Sequence, residues 1–342
     1  MRFSVASIAL MATITVYGTS SSQASTPIRP GIVVDVGGLG DRGFNDLAKT
    51  GLLSAQKALG ITGKILVPAT PADYISNLGQ FATDGSNPVF GIGFTFADAI
   101  AAAAKQYPTT HFAIVDSVVD APNVTSLVFR EQEGSYLAGV VAGMMTQRAT
   151  AYTNKATKVV GFIAALKAPL IDKFGAGYEQ GVKSVCPKCV VLYQYIGTTG
   201  AAFGDPGTAK EIALNMYAKG ADVIYHAAGG SGDGLFQAAQ EKKFFAIGVN
   251  VNQAITVPSA PILTSVLKRV DTAVKAVITA EVAGQFKGGV QSFGLSNDGI
   301  ALTPFGRFSS LVPASVKRAV ATAKAKIING KIKVAETLAE VK

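Results

Sequence analysis

The run Gly31-Ile32-Val33-Val34-Asp35-Val36 is followed by Gly37-Gly38-Leu39-Gly40-Asp41-Arg42-Gly43-Phe44-Asn45-Asp46. It reads as a buried strand, a glycine-rich turn and the start of a helix. From Phe44 onward, Leu47, Ala48, Leu52, Ala55 and Leu59 fall on one face at helical spacing. A strand that is apolar on both faces, then a tight turn, then an amphipathic helix is the opening half of a βαβ unit.

The pattern repeats outward. Further apolar runs begin at Gly63, Pro88 and His111, and a second set begins at Val159, Val190, Asp222 and Phe245. Corresponding members lie 127 to 134 residues apart, so the chain reads as two α/β domains of similar size in tandem. Tyr136, Leu137, Val140, Val141, Met144 and Met145 mark another helix. A late strand at Ile262–Ser265 and a helix from Lys268 to Glu281 must return to a domain already built. Several crossings between two open parallel sheets make a hinge, with a cleft facing the carboxyl ends of the strands. Ligands bind there.

The chain has 342 residues, 49% apolar and 15% charged, which excludes a disordered chain and leaves room for two ordinary domains. The formal charge is +9, but the excess concentrates at Pro313–Lys342, where seven basic residues face two glutamates. No aromatic residues interleave with them, so this is a solvated face and no nucleic-acid partner is expected. The first 24 residues carry Arg2, an apolar stretch from Val5 to Tyr17, and Ser22-Gln23-Ala24. That is the pattern of an export signal cleaved after Ala24. No cysteine stands at the cleavage site, which disfavours a lipid anchor, and the mature chain is expected to be soluble, periplasmic or secreted.

The two cysteines, Cys186 and Cys189, form a C-x-x-C that could be a redox pair, half of a zinc site or a small structural disulfide. The pair runs straight into an apolar strand rather than opening a helix, and the only histidines, His111 and His226, stand alone. A disulfide in an exported protein is the expected state. No metal site is expected.

The catalytic inventory is poor. Gly38, Gly40 and Gly43 fit a dinucleotide-binding fingerprint, but the second strand ends Leu66-Val67-Pro68-Ala69-Thr70 without an acid for a ribose. Gly229-Gly230-Ser231-Gly232-Asp233-Gly234 approaches a nucleophile elbow, yet Asp233 takes the place of its closing glycine. Neither a catalytic residue nor a cofactor is assigned.

The segment from Asp35 to Asp46 resembles the opening motif of the basic membrane protein family, also called the purine nucleoside receptor family, which are substrate-binding proteins of ABC transporters. Six further segments match in order, beginning at Asp73, Phe112, Phe129, Lys173, Ala221 and Leu263. The resemblance implies the type I periplasmic-binding fold, with two lobes, each a mainly parallel sheet flanked by helices, and a hinge of three crossovers. The lobes are placed at 25–126 plus 267–288 and at 127–266 plus 289–342. It implies a monomer that captures a small molecule and delivers it to an ABC permease, without bond chemistry.

By that resemblance, Phe44 and Phe174 sandwich a nucleobase, one from each lobe. Asn45 bonds the base or holds the loop, and Asp116 accepts from a purine. Lys268 donates to ribose hydroxyls, Gly229 offers backbone groups, and Asp35 is a further candidate for the sugar. Without the resemblance, Phe44 would read as core, Asp116 as a turn cap and Lys268 as a surface lysine of an amphipathic helix. Two departures stand out. Asn250 occupies a place where the family carries an aspartate on the ribose, and Ala164-Ala165-Leu166-Lys167 replaces a common glycine pair. A flavin-like or modified-nucleoside ligand and a sensory role are the alternatives, ahead of an exported nucleoside hydrolase.

Overall fold

A computed structural model describes Met1, residues 28–35 and residues 37–341. Apart from Met1, the segment read as an export signal lies outside the described residues. In chain order the elements are β1 (Gly31–Val33), α1 (Phe44–Leu59), β2 (Lys64–Leu66), α2 (Tyr74–Thr83), β3 (Val89–Ile92), α3 (Ala97–Gln106), β4 (Phe112–Val115) and β5 (Val124–Phe129). Then come α4 (Glu131–Met145), β6 (Val159–Ala164), α5 (Pro169–Val185), β7 (Val190–Tyr195), α6 (Pro206–Ala218), β8 (Ala221–Ala227), α7 (Gly232–Lys242) and β9 (Phe245–Asn250). The chain closes with α8 (Gln253–Thr256), β10 (Ile262–Lys268), α9 (Val270–Val282), β11 (Gly289–Phe293), β12 (Ile300–Leu302) and α10 (Ala314–Ile328).

Two six-stranded sheets result, in the orders β2-β1-β3-β4-β5-β11 and β7-β6-β8-β9-β10-β12. All pairings are parallel except β10 with β12. The strand order reverses at β1 in one sheet and at β6 in the other, so each sheet carries a switch point at the carboxyl end of its first strand. Among the described residues, no helix is long and apolar enough to cross a membrane.

The chain passes between the sheets three times: at Arg130 between β5 and α4, at Arg269 between β10 and α9, and over 294–299 between β11 and β12. These crossings are tied together. The Arg130 N–H donates to the Phe293 carbonyl at 2.8 Å, and the Arg269 N–H donates to the Gly299 carbonyl at 2.9 Å. Sheet membership corrects the lobe boundaries drawn from sequence. A break after 126 cuts through β5, and a break after 288 leaves out β11, which pairs along its whole length with β5. Lys268 also moves: it ends β10 and is buried, whereas the sequence pattern placed it at the start of a helix.

The α4 helix is buried on nearly every side, and beyond its opening Glu131-Gln132-Glu133 it is mostly small and apolar all round. It lies directly on α5, where a side chain at Gly177 or Gly181 would overlap the carbonyls of Gln132 and Tyr136. The close approach sets how α5 presents its amino end to the cleft. That end is further held by Asp172, whose carboxylate accepts from the hydroxyls of Tyr193 at 3.1 Å and Tyr195 at 2.7 Å. Cys186 and Cys189 are joined as a disulfide at the other end of α5, both buried.

Candidate functional site

Between the carboxyl ends of the two sheets lies a cavity of about 320 Å³. Asp35, Phe44, Asn45, Asp116, Phe174, Gly229, Asn250 and Lys268 all line it, the full set singled out in the sequence. They come from both lobes: the first four from α1 and the segments just after β1 and β4, the others from α5, the turn after β8, β9 and β10.

The loop between β1 and α1 is built by two aspartates. Asp41 accepts from the N–H groups of Gly43, Asn45 and Asp46 at 2.8 to 3.1 Å, satisfying donors that the first turn of α1 leaves free. Asp46 accepts from Gly40 and Arg42, both at 3.0 Å. Phe44, the first residue of α1, is thereby fixed at the cavity wall. Asn45 holds this loop: its side-chain oxygen accepts from the Asp35 N–H at 3.3 Å. Asp35 in turn accepts from the Tyr74 hydroxyl and, at 3.4 Å, from Thr95.

Three side chains at the back of the cavity form one ionic group. The Lys268 ammonium donates to Asp116 at 2.6 Å and to Glu131 at 2.9 Å. Their side chains are exposed by only 2%, 4% and 0% respectively, so the group is out of water. Burial raises the Asp116 and Glu131 carboxyls above the usual carboxylate range, against the pull of Lys268. On Lys268, burial pulls downward, but the two carboxylates outweigh it and hold the ammonium above its ordinary value. The same ammonium lies 5.3, 5.0 and 5.7 Å from the ring centres of Phe44, Phe129 and Phe174. Such distances give a cation–π attraction. The Phe44 and Phe174 rings, one from each lobe, thus converge on one charge.

Asp116 and Asn250 both have positive φ, 72° and 66°. Gly229 does too, at 54°, in the turn after β8, where a β-carbon would meet Phe203 at 3.3 Å. At the rim, Arg42 of the first lobe forms an ion pair with Asp233 at the start of α7 in the second. The lobes are therefore linked across the mouth.

Several lining residues were invisible in the sequence. Phe94 and Phe203 add two more rings, and they pack with the buried Ala165, Leu166, Ala202 and Ala228 at one end of the cavity. Phe94 follows β3 directly, but Phe203 sits in a connection without periodicity. Glu131 falls within a matched motif yet carried no assigned role, because nothing in the sequence brings it to Lys268.

A family model described as ABC transporter substrate-binding protein, PnrA-like, matches residues 28–337. The chain is 37% identical over 336 residues to the CD4+ T-cell-stimulating antigen of Listeria monocytogenes, covering 92% of this chain and 90% of that one. It is 36% identical over 354 residues to the ABC transporter nucleoside-binding protein BmpA of Lactococcus lactis, covering 96% of both. A solved ABC transporter solute-binding protein from Aeropyrum pernix superposes with a TM-score of 0.82 at 29% identity. That match spans 91% of this chain and 94% of the other.

Proposed function

The chain belongs to the PnrA-like family of ABC transporter substrate-binding proteins, and from that premise we propose that its solute is a purine nucleoside. Membership makes it a binding protein rather than an enzyme: it captures a small molecule outside the cytoplasm for an ABC permease. The nucleoside, the monomeric state and the periplasmic or secreted location are our reading.

The observation that carries it is the pair Phe44 and Phe174, one ring from each lobe on a single cavity that Asp116 and Lys268 also line. A base has two flat faces, and stacking on an aromatic ring contributes about 1–3 kcal/mol per base. Closing the lobes would bring both rings to one base at once. Asp116 would accept from ring N–H or amino groups, while Asn250 and Lys268 would serve the sugar. The similarity to the nucleoside-binding protein of Lactococcus lactis supports the same ligand class.

The test is mass spectrometry of the small molecule released on denaturing the purified protein, followed by calorimetry with adenosine, guanosine and inosine. A thousandfold excess over Kd should stabilise the fold by about 4 kcal/mol. A flavin-like ring is the second reading, favoured by the additional rings of Phe94 and Phe203, so riboflavin belongs in the panel. A melting shift with riboflavin and none with any nucleoside would replace the first reading by the second.

A further inference from the structure

We propose that Glu131 is a positioning residue for ligand binding, holding the Lys268 ammonium between the crossovers so that Asp116 keeps an oxygen for the ligand. Glu131 does not line the cavity. It is the first residue of α4, one position beyond the Arg130 crossing, and its side chain is wholly buried. Lys268 is the last residue of β10, one position before the Arg269 crossing. Their contact therefore fastens two of the three interlobe connections to each other, directly behind the cavity.

The chemistry of the group explains why a second carboxylate is needed. A lysine ammonium carries three donors and no acceptor. Here two carboxylates share the ammonium, each through one oxygen. Glu131 draws it to one side. Lys268 meets only one Asp116 oxygen, and the other, Oδ1, is buried without a hydrogen-bond partner among the described residues; Glu131 Oε2 is likewise unpartnered, but of the two only Asp116 lines the cavity. An acceptor out of water with no partner is costly unless something donates to it. The cavity is the side from which a donor can come, since Asp116 lines it. The other titratable side chains around the group are Lys173 of α5, which acts on Asp116, and the neutral phenol Tyr225 of β8, whose ionisation Glu131 opposes. Neither donates to Asp116.

The inference rests on the nucleoside reading for its binding arm only, and the experiment separates the two. Glu131→Gln keeps the shape and removes the charge; Glu131→Asp keeps the charge and shortens the reach. Adenosine affinity is measured by calorimetry, and Lys268 is followed in the ligand-free protein by NMR of ¹³Cε-labelled lysine, its signal identified with Lys268→Arg. Glu131→Gln should weaken adenosine binding about tenfold, the difference between a charge-assisted and a neutral partner. Lys268 should titrate at lower pH than in the wild type, where the two carboxylates hold it above its ordinary value. Glu131→Asp should recover part of both effects. Should Glu131→Gln not fold, Glu131→Asp alone is read, with smaller changes of the same sign.

Unchanged affinity together with an unchanged lysine titration overturns the proposal. So does a lower melting temperature with full affinity in the folded protein, which is what a purely structural glutamate would give. If the wild type binds no nucleoside, the nucleoside reading fails instead, and the lysine titration decides the role of Glu131 by itself.

Discussion

Asp116 and Asn250 hold equivalent places in the two lobes, each where the fourth strand of its sheet ends and each with a left-handed backbone, at φ 72° and 66°. Both are non-glycine residues that line the same cavity. Aspartate and asparagine enter this conformation more readily than other residues with a β-carbon, because their short polar side chains bond locally. Local strain of this kind concentrates at ligand sites, where it aims a side chain. The pair differs in charge, and that difference drives the first prediction.

Asn250→Asp is expected to weaken adenosine binding at pH 8. A carboxylate at 250 would tighten a ribose contact only if Lys268 stood free to match it, and Lys268 is already shared by Asp116 and Glu131. A third carboxylate in this buried wall has no counter-charge, so desolvation opposes it. Calorimetry should show roughly tenfold weaker binding, with recovery toward pH 5 as the new carboxyl protonates. Tighter binding at pH 8 would mean that the Lys268 ammonium balances a third carboxylate besides the two it already holds.

Phe44→Leu and Phe174→Leu should each weaken nucleoside binding by roughly 10- to 100-fold, the loss of one stacking face. Phe44 is only partly buried, so its variant should change the ligand-free melting temperature little, whereas Phe174 is buried in the core and its variant should also lose some stability. Isothermal titration with adenosine measures the first and calorimetry without ligand the second. Equal affinity in both variants would remove the base from between these rings.

The ion pair of Arg42 with Asp233 joins lobes that must part for the ligand to enter. Its side chains are 49% and 34% exposed, so its contribution is modest and screened by salt. Arg42→Ala and Asp233→Asn should each weaken adenosine binding about two- to fivefold at low ionic strength. The double variant should be no worse than either single one, and all differences should vanish in high salt. Additive losses would show that the two residues act separately.

Two buried groups should oppose each other in the pH dependence of stability. Burial at the start of β8 raises Asp222 to about 6, against the hydrogen bond from the Asn154 N–H. The folded state then holds more protons than the unfolded state between pH 4 and 6, so this group makes stability fall as pH rises through that window. Burial lowers His226 to about 4, although the Gln253 side chain favours its charged form. Here the unfolded state holds more protons, and stability rises with pH between 4 and 6.5. Each amounts to roughly 3 kcal/mol at full extent. Relative to wild type, Asp222→Asn should gain stability as pH rises from 4 to 6, and His226→Gln should lose it. Denaturant melts at several pH values read both slopes, and parallel curves for all three proteins would contradict the assignment.

The two-lobed plan was legible because it is encoded locally, and eight of the residues that line the cavity were legible through motifs shared with the family. Apolar runs mark β1, β3, β4, β6, β8 and β9, and a motif read along the chain picks out Phe44, Asp116 or Phe174 where it stands. The strand β5 escaped notice because its centre is polar: Thr125 and Ser126 are buried, satisfied by the Lys287 carbonyl and the backbone of Val119. Those partners lie outside the strand, so its hydrophobic pattern gives no warning of burial. Lys268 looked like a helix residue for a similar reason, since its solvation is replaced by carboxylates 152 and 137 positions away. What tertiary structure alone decided is which distant groups meet at the crossings. There the sheets pass the chain between them, and the desolvated Lys268 ammonium finds Asp116 from one lobe and Glu131 from the other.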